Sequence, residues 1–254
     1  MRMAHGEVTD EHGVLVGAET RFTPHRKIYY FRSVANEPRI PFEATILFQD
    51  AHILVADKPH FLPVVPSGRF VQETLLVRLK NELGIETLSP AHRIDADTAG
   101  LVLFTIQPET RDAYQRLFRE RRVEKHYEAI AATNADHTFP LHRRSRLIES
   151  NAFMQMREVP GEPNAETEIG LMQQRGAVAR YSLRPVTGQK HQLRAHMAAL
   201  DLPILNDRIY PKLLAASDMR DYGEPLQLLA RRIAFSDPLT GEERSFTSGR
   251  TLLF

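Results

Sequence analysis

The stretch AHRIDADTAGLVLFTI, residues 91–106, decides the reading of this chain. It crowds Arg93, Asp95 and Asp97 into a short segment and then runs through the apolar residues 101–106. A continuous apolar run of that length reads as a buried strand. Charged side chains beside such a strand are costly to desolvate unless they are paired. Asp97 and Thr98 read most simply as caps of turn amides, and Gly100 as a residue in an unusual dihedral. For Asp95 that simple reading weakens once the rest of the chain is considered.

Working outward, ATILFQD (44–50) and HILVADK (52–58) are two short apolar runs across a turn, a hairpin pattern. Leu75, Leu76, Leu79 and Leu83 fall at helical spacing within 72–83, and Gly84 suits the stop. Pro108 can open a further helix with Ala113, Tyr114, Leu117 and Phe118 inward and arginines outward. Residues 123–131 read as a strand whose alternation puts Lys125, Tyr127 and Ala129 on one face. Strands are also expected over 166–172, 178–186, 229–235 and near 244–247, with a DPLTG turn at 237–241 and a helix over 188–200. Strands outnumber helices and do not alternate strictly with them. The class is therefore α+β, with a mixed, largely antiparallel sheet and flanking helices. Residues 1–42 look different. Glycines at 6, 13 and 17 punctuate short β-like pieces, KIYYF (27–31) reads as a strand, and Pro38 and Pro41 mark a linker. We expect a small β-rich N-terminal module over 1–42 and the main domain over 43–254.

A second segment, RPVTGQKHQLRAH (184–196), reads as a strand end, a Thr-Gly turn and a helix start. His191 and Arg194 are three apart and would share a helix face. Gly188, Gln189 and Lys190 would sit at the helix N-terminus, where free N–H groups attract phosphate. Basic residues cluster at Arg116, Arg119, Arg121, Arg122 and Lys125, and again at His142, Arg143, Arg144 and Arg146, while Glu162, Glu166 and Glu168 lie elsewhere in the chain. The plain reading is a solvated helix face plus a loop. Clustering of this kind can also track phosphates although the net charge is only +1.

With 254 residues and 42% hydrophobic content, the chain can bury one large core with a small appendage. Zero cysteines exclude disulfides, thiolate metal sites and cysteine nucleophiles. Nothing resembles a signal peptide, a membrane span, a GxGxxG loop or a Walker sequence. A cytoplasmic, monomeric protein without membrane contact or cofactor is the expectation.

At this point the residues carry a resemblance. HRIDADTAG resembles the HRLD-x-x-TSG signature of the RluA-type pseudouridine synthases, which act on ribosomal large-subunit and transfer RNA. KHYEA (125–129) is similar to that family's K-x-Y-x-A motif, and TGQKHQLRAH to its TGR-x-HQ-I/L-R-x-H motif. ILVADKP, LPVVPSG and the tail F-x-D-P-L-T-G-E also match in order, so the likeness spans about residue 43 to the end. The resemblance implies a sheet-based fold with a central RNA-binding cleft. It implies that Asp95 is the catalytic aspartate, Tyr127 the ring that packs on the target base, and Arg194 the partner of the aspartate. It associates Arg93 with holding a flipped-out nucleotide. His92, Lys125, Gln189, Lys190, His191, Arg121 and Arg122 are further candidate RNA contacts. Departures are Ala99 for serine, Gln189 for arginine, Phe61 for a turn glycine and Leu229 for histidine. The Phe61 change suggests a different loop. Residues 1–42 faintly resemble the latter part of an S4-type RNA-binding module.

The expected reaction isomerises specific uridines of structured ribosomal or transfer RNA. The N1–C1′ bond breaks, the uracil turns, and C5 joins C1′. C5 loses a proton and N1 gains one, so no redox partner or group carrier is required. One carboxylate can serve, through a covalent adduct or through proton removal from the sugar. An enclosed carboxylate stays charged more readily beside a guanidinium, which also fixes its orientation. Extruding a base costs a few kcal/mol, of which aromatic stacking returns roughly 1–3 kcal/mol. Two rivals remain: an RNA-binding protein of the same fold that has lost catalysis, and a metal-dependent hydrolase using His92, Asp95, Asp97 and His191 or His196.

Overall fold

The computed structural model describes residues 2–30, 34, 37–150, 154–214 and 222–254. Among the described residues the first strands, β1 (Val8–Asp10) and β2 (Ile28–Tyr30), pair only with each other, as a small antiparallel sheet. Phe31, at the end of the expected KIYYF strand, lies outside the described residues. The remaining elements are β3 (Thr45–Gln49), β4 (Ile53–Lys58), α1 (Leu75–Leu83), β5 (Ser89–Pro90), β6 (Ala99–Thr105), α2 (Arg111–Arg119), β7 (Glu124–Ala132), β8 (Leu141–Glu149), β9 (Met156–Val159), β10 (Ala165–Arg175), β11 (Val178–Pro185), α3 (Gln192–Ala199), β12 (Leu228–Ser236) and β13 (Glu243–Thr247). Among the described residues these strands form one 11-stranded sheet in the order β3-β4-β6-β12-β7-β11-β10-β8-β9, with β5 on β6 and β13 on β12. Every pairing is antiparallel except β6 with β12. The mixed α+β class read from sequence holds.

Period-two alternation explains how the helices attach. Leu54, Ala56, Val102 and Phe104 point to one face, where Leu75 and Leu79 of α1 cover them. Ile53, Val55, Leu101 and Leu103 point to the other face, against Tyr114 and Leu117 of α2. The apolar run is unbroken from Leu101 to Phe104 because both faces of β6 are covered, and Thr105 at its end donates its hydroxyl to the Ser89 carbonyl at 3.2 Å. Thr74 caps α1 by accepting the Val77 amide at 3.4 Å, and Gly84 closes the helix at φ +67°. α3 packs Leu193 and Met197 on Ala129, Ile169, Tyr181 and Leu183 of the other half of the sheet. No helix of the described residues is long and apolar enough to cross a membrane.

Three expectations are corrected. Residues 141–149 form a strand, not a loop; alternation is present, but basic residues occupy the exposed positions. Pairing of β8 with β10 sets Glu166 beside Arg144 and Glu168 beside His142, so acids distant in sequence neutralise much of that basic cluster. His142 Nε2 lies 2.9 Å from Glu166, Arg144 Nε lies 3.5 Å from it, and Arg143 pairs with Glu158. Third, α3 begins at Gln192, because His191 takes a left-handed φ of +52° and breaks the helix there. Phe61 keeps a left-handed turn at φ +69° although it is not glycine. Its ring is held against Phe42 at 5.9 Å and Tyr222 at 5.2 Å, so aromatic packing offsets the backbone strain.

Candidate active site

A cleft of about 920 Å³ opens where the 91–98 turn, β7, the 187–191 turn and α3 meet. Among the described residues, four cationic side chains besides Arg194 line it (Arg93, Arg119, Lys125 and Lys190), and Asp95 is the only acid that does. A chain of near-zero net charge therefore presents a locally positive cleft.

The turn carrying Asp95 is fixed from behind. Lys58, fully buried at the end of β4, donates to the carbonyls of Pro59 (2.9 Å), Leu62 (2.8 Å) and Ala96 (2.9 Å). His60 Nδ1 lies 2.7 Å from the Asp97 carbonyl. A buried ammonium needs such acceptors, and these tie two loops together. Gly100, just after the turn, lies at φ +112° where β6 meets β12.

Arg194 crosses from α3 and donates from Nη1 to Asp95 Oδ2 at 3.2 Å. Its other edge grips Asp207, with Nε to Oδ2 at 2.8 Å and Nη2 to Oδ1 at 2.6 Å. The arginine and Asp207 side chains are 2% and 1% exposed, and Asp95 is 28% exposed. Burial works to lower the Arg194 pKa, but the Asp207 bonds and charge, with the charges of Asp95 and Asp97, hold it above its ordinary value. Burial, with the Asp95 charge, likewise raises the Tyr127 hydroxyl well above its ordinary range. That phenol stays protonated at neutral pH. It can offer a ring face or a donor proton, but it is no ready base.

His191 Nε2 is 3.8 Å from Asp95 Oδ1, and its Nδ1 is 3.3 Å from the Tyr210 hydroxyl. That hydroxyl also accepts the Met156 amide at 2.6 Å, which ties the His191 ring to the β9 backbone through Tyr210. Burial lowers the His191 pKa, with Asp95 opposing the shift.

The other expected contacts divide. Arg93 is exposed at the cleft and makes no side-chain hydrogen bond or ion pair among the described residues. Lys125 Nζ donates to the Thr187 carbonyl at 2.8 Å, and burial and then the Arg121 charge push its pKa down to about 8. Lys190 pairs with Glu149 at 3.2 Å on the rim. Arg121 and Arg122 lie beyond the cleft lining, in the turn after α2, and Arg122 is 3.7 Å from Glu120. His92, expected as an RNA contact, lines the cleft as a packed, neutral ring. Its ring stacks on Phe118 at 4.3 Å, its Nε2 accepts the Leu103 amide at 3.1 Å, and burial lowers its pKa to about 3. The Gln189 amide, expected to be free for phosphate, instead donates to Gln192 Oε1 at 3.0 Å.

The candidate metal ligands do not converge. His92 is turned into its stack, and His196 lies between Thr167 and Ser145 at 3.0 Å each. No group of three potential ligands is assembled among the described residues. The sequence reading missed Lys58 as a loop anchor, and it missed Asp207 and Tyr210. The last two sit in an irregular segment with no periodicity to mark them.

Comparisons with known proteins meet this geometry. Residues 52–199 match the model of a family described as RNA pseudouridylate synthase. The dual-specificity RNA pseudouridine synthase RluA of Haemophilus influenzae is 30% identical over 84% of this chain and 95% of its own length. Its counterpart from Pasteurella multocida is 32% identical over 80% of this chain and 91% of its own. The solved structure of human RNA pseudouridylate synthase domain containing 4 superposes with a TM-score of 0.61 at 26% identity, covering 82% of this chain and 88% of that one. The chain belongs to the RNA pseudouridylate synthase family, in its RluA-type branch. It is an isomerase that converts uridine in RNA to pseudouridine.

Proposed function

We propose that Asp95 is the catalytic carboxylate, that Arg194 orients it, and that Tyr127 stacks on the extruded uracil of a uridine in structured ribosomal or transfer RNA. The 3.2 Å contact from Arg194 to Asp95, beside Tyr127 in a cation-lined cleft, carries the reading. Two similarities support the substrate class: the relatives named dual-specificity synthases, and the mitochondrial tRNA pseudouridine(32) synthase of Saccharomyces cerevisiae, 34% identical over 65% of this chain and 36% of its own length. Arg93 is the cation available to hold the flipped-out nucleotide, and Lys125 and Lys190 flank the path of its phosphates. Within residues 1–42, the stretch up to Tyr30 acts as a separate small module, supported by the isolation of the β1–β2 sheet from the main sheet among the described residues. Residues 37–42 join the main domain, where Ile40 is buried in the core under α1 and Glu37 accepts the amides of Val71, Gln72 and Glu73. Tritium release from C5-labelled uridine in ribosomal and transfer RNA tests the reading. Absence of release from both by the purified protein would remove it.

Two predictions concern RNA binding. Lys125 is charged below its pKa of about 8 and neutral above it. RNA affinity should therefore weaken as the pH rises from about 7 to about 9, and Lys125→Met should flatten that dependence. Filter binding across the range reads it; an identical pH profile in the variant places Lys125 off the RNA path. Replacing Arg121 and Arg122 together with alanine should reduce the slope of log affinity against log salt by about 1.4 to 1.8. An unchanged slope would show that these arginines touch no phosphate.

A further inference from the structure

Arg194 is the hub of the site, and its geometry raises a question the catalytic reading leaves open. A guanidinium presents its donors in a rigid planar fork, and a lone carboxylate facing it is captured by two parallel bonds. Asp95 makes only one, from Nη1 to Oδ2. The edge that could complete a fork is occupied by Asp207, through Nε and Nη2. Asp207 is itself held by the backbone. Its Oδ1 also accepts the backbone amides of Ile209 at 2.8 Å and Tyr210 at 3.0 Å, and the Tyr210 ring lies 5.6 Å from the Arg194 guanidinium carbon.

We propose that Asp207 is a positioning residue for catalysis: by taking the bidentate edge of Arg194, it aims Nη1 alone at Asp95 and leaves Asp95 Oδ1 unclaimed for the reacting uridine. This rests on the reading of Asp95 as the catalytic carboxylate. His191 Nε2, at 3.8 Å, stands too far to bind Oδ1 in the resting cleft. Without Asp207, Arg194 is free to turn and clamp both oxygens of Asp95. The acid is then still charged and still in the cleft, but aimed wrongly, and misplacement of a reacting group by about 1 Å can cost about 10²-fold in rate.

The test compares Asp207→Asn, Asp207→Glu and Asp95→Asn in steady-state tritium release over a range of RNA concentrations. Asp207→Asn has the same shape but sets an NH2 group against an arginine N–H. It should lower kcat by about 10²-fold while KM for RNA stays within about twofold. Asp207→Glu restores the carboxylate and should recover at least about tenfold of that loss. A wild-type kcat in Asp207→Asn, a KM that rises in step with the fall in kcat, or no recovery in Asp207→Glu overturns the inference. Asp95→Asn separates the two claims. If it retains turnover, the catalytic reading fails; if it is inactive while Asp207→Asn behaves as wild type, only the role of Asp207 fails. Should Asp207→Asn not fold, nitrogen NMR of arginine-labelled wild-type protein decides. Arg194 should give separate, slowly exchanging Nη signals where exposed arginines give one averaged signal. An averaged Arg194 signal overturns the proposal.

Discussion

Asp95→Asn is expected to reduce pseudouridine formation by at least about 10⁴-fold while leaving folding and RNA affinity nearly untouched. The amide keeps the shape of the side chain but is neither a nucleophile nor a base, so both chemical routes lose the same group. Folding should change by less than about 1 kcal/mol, because Asp95 is partly exposed and its ion pair is screened. Arg194 would not be stranded, since Asp207 holds it through two bonds. RNA affinity should stay level or rise slightly, because the cleft loses the one acid among its described lining residues and keeps its cations. Tritium release measures the first effect, thermal melting the second and filter binding the third. Turnover within tenfold of wild type by a folded, RNA-binding variant would end the assignment of Asp95.

Gly100→Ala is expected to produce the largest loss of stability. Gly100 has φ +112°, and an added Cβ would lie 2.3 Å from the Ala230 carbonyl oxygen and 2.7 Å from the Ala230 nitrogen. The backbone conformation alone costs roughly 1–3 kcal/mol for a residue with a side chain. The clash adds to this, because the obstacle is backbone in a paired strand and cannot swing aside. Relief requires β6 and β12 to separate at their one parallel junction, in the middle of the sheet. A total above about 4 kcal/mol follows, which for a chain of this size lowers Tm by about 10 °C or more. The Asp95 turn leads directly into β6, so residual folded protein should also lose activity. A Tm within about 2 °C of wild type would show that the two strands can part without cost.

The local elements were legible because their signals are local. The apolar run 101–106 is a strand buried on both faces, α1 stops at Gly84, and Lys125 and Tyr127 share a face of β7 that borders the cleft. What stayed hidden depends on contacts between distant segments. β8 was obscured because its exposed positions carry His142, Arg144 and Arg146, and its neutralising acids arrive only through pairing with β10. His92 reads as a candidate RNA contact, and only the fold shows its ring stacked on Phe118 and its Nε2 taken by the Leu103 amide. His191 and Phe61 adopt left-handed backbone that their residue types disfavour, and only surrounding packing holds them there.

By itself, the sequence determined the α+β class, the family and the three residues that meet in the cleft, because motif order and side-chain alternation are properties of the chain alone. The tertiary structure decided how those residues are aimed. Asp207 bonds Arg194, Tyr210 bonds His191, and Lys58 bonds the Ala96 carbonyl next to Asp95, each from a separate segment of chain. A hydrogen bond depends on direction and distance in space, and no local pattern of residues encodes either across such a separation.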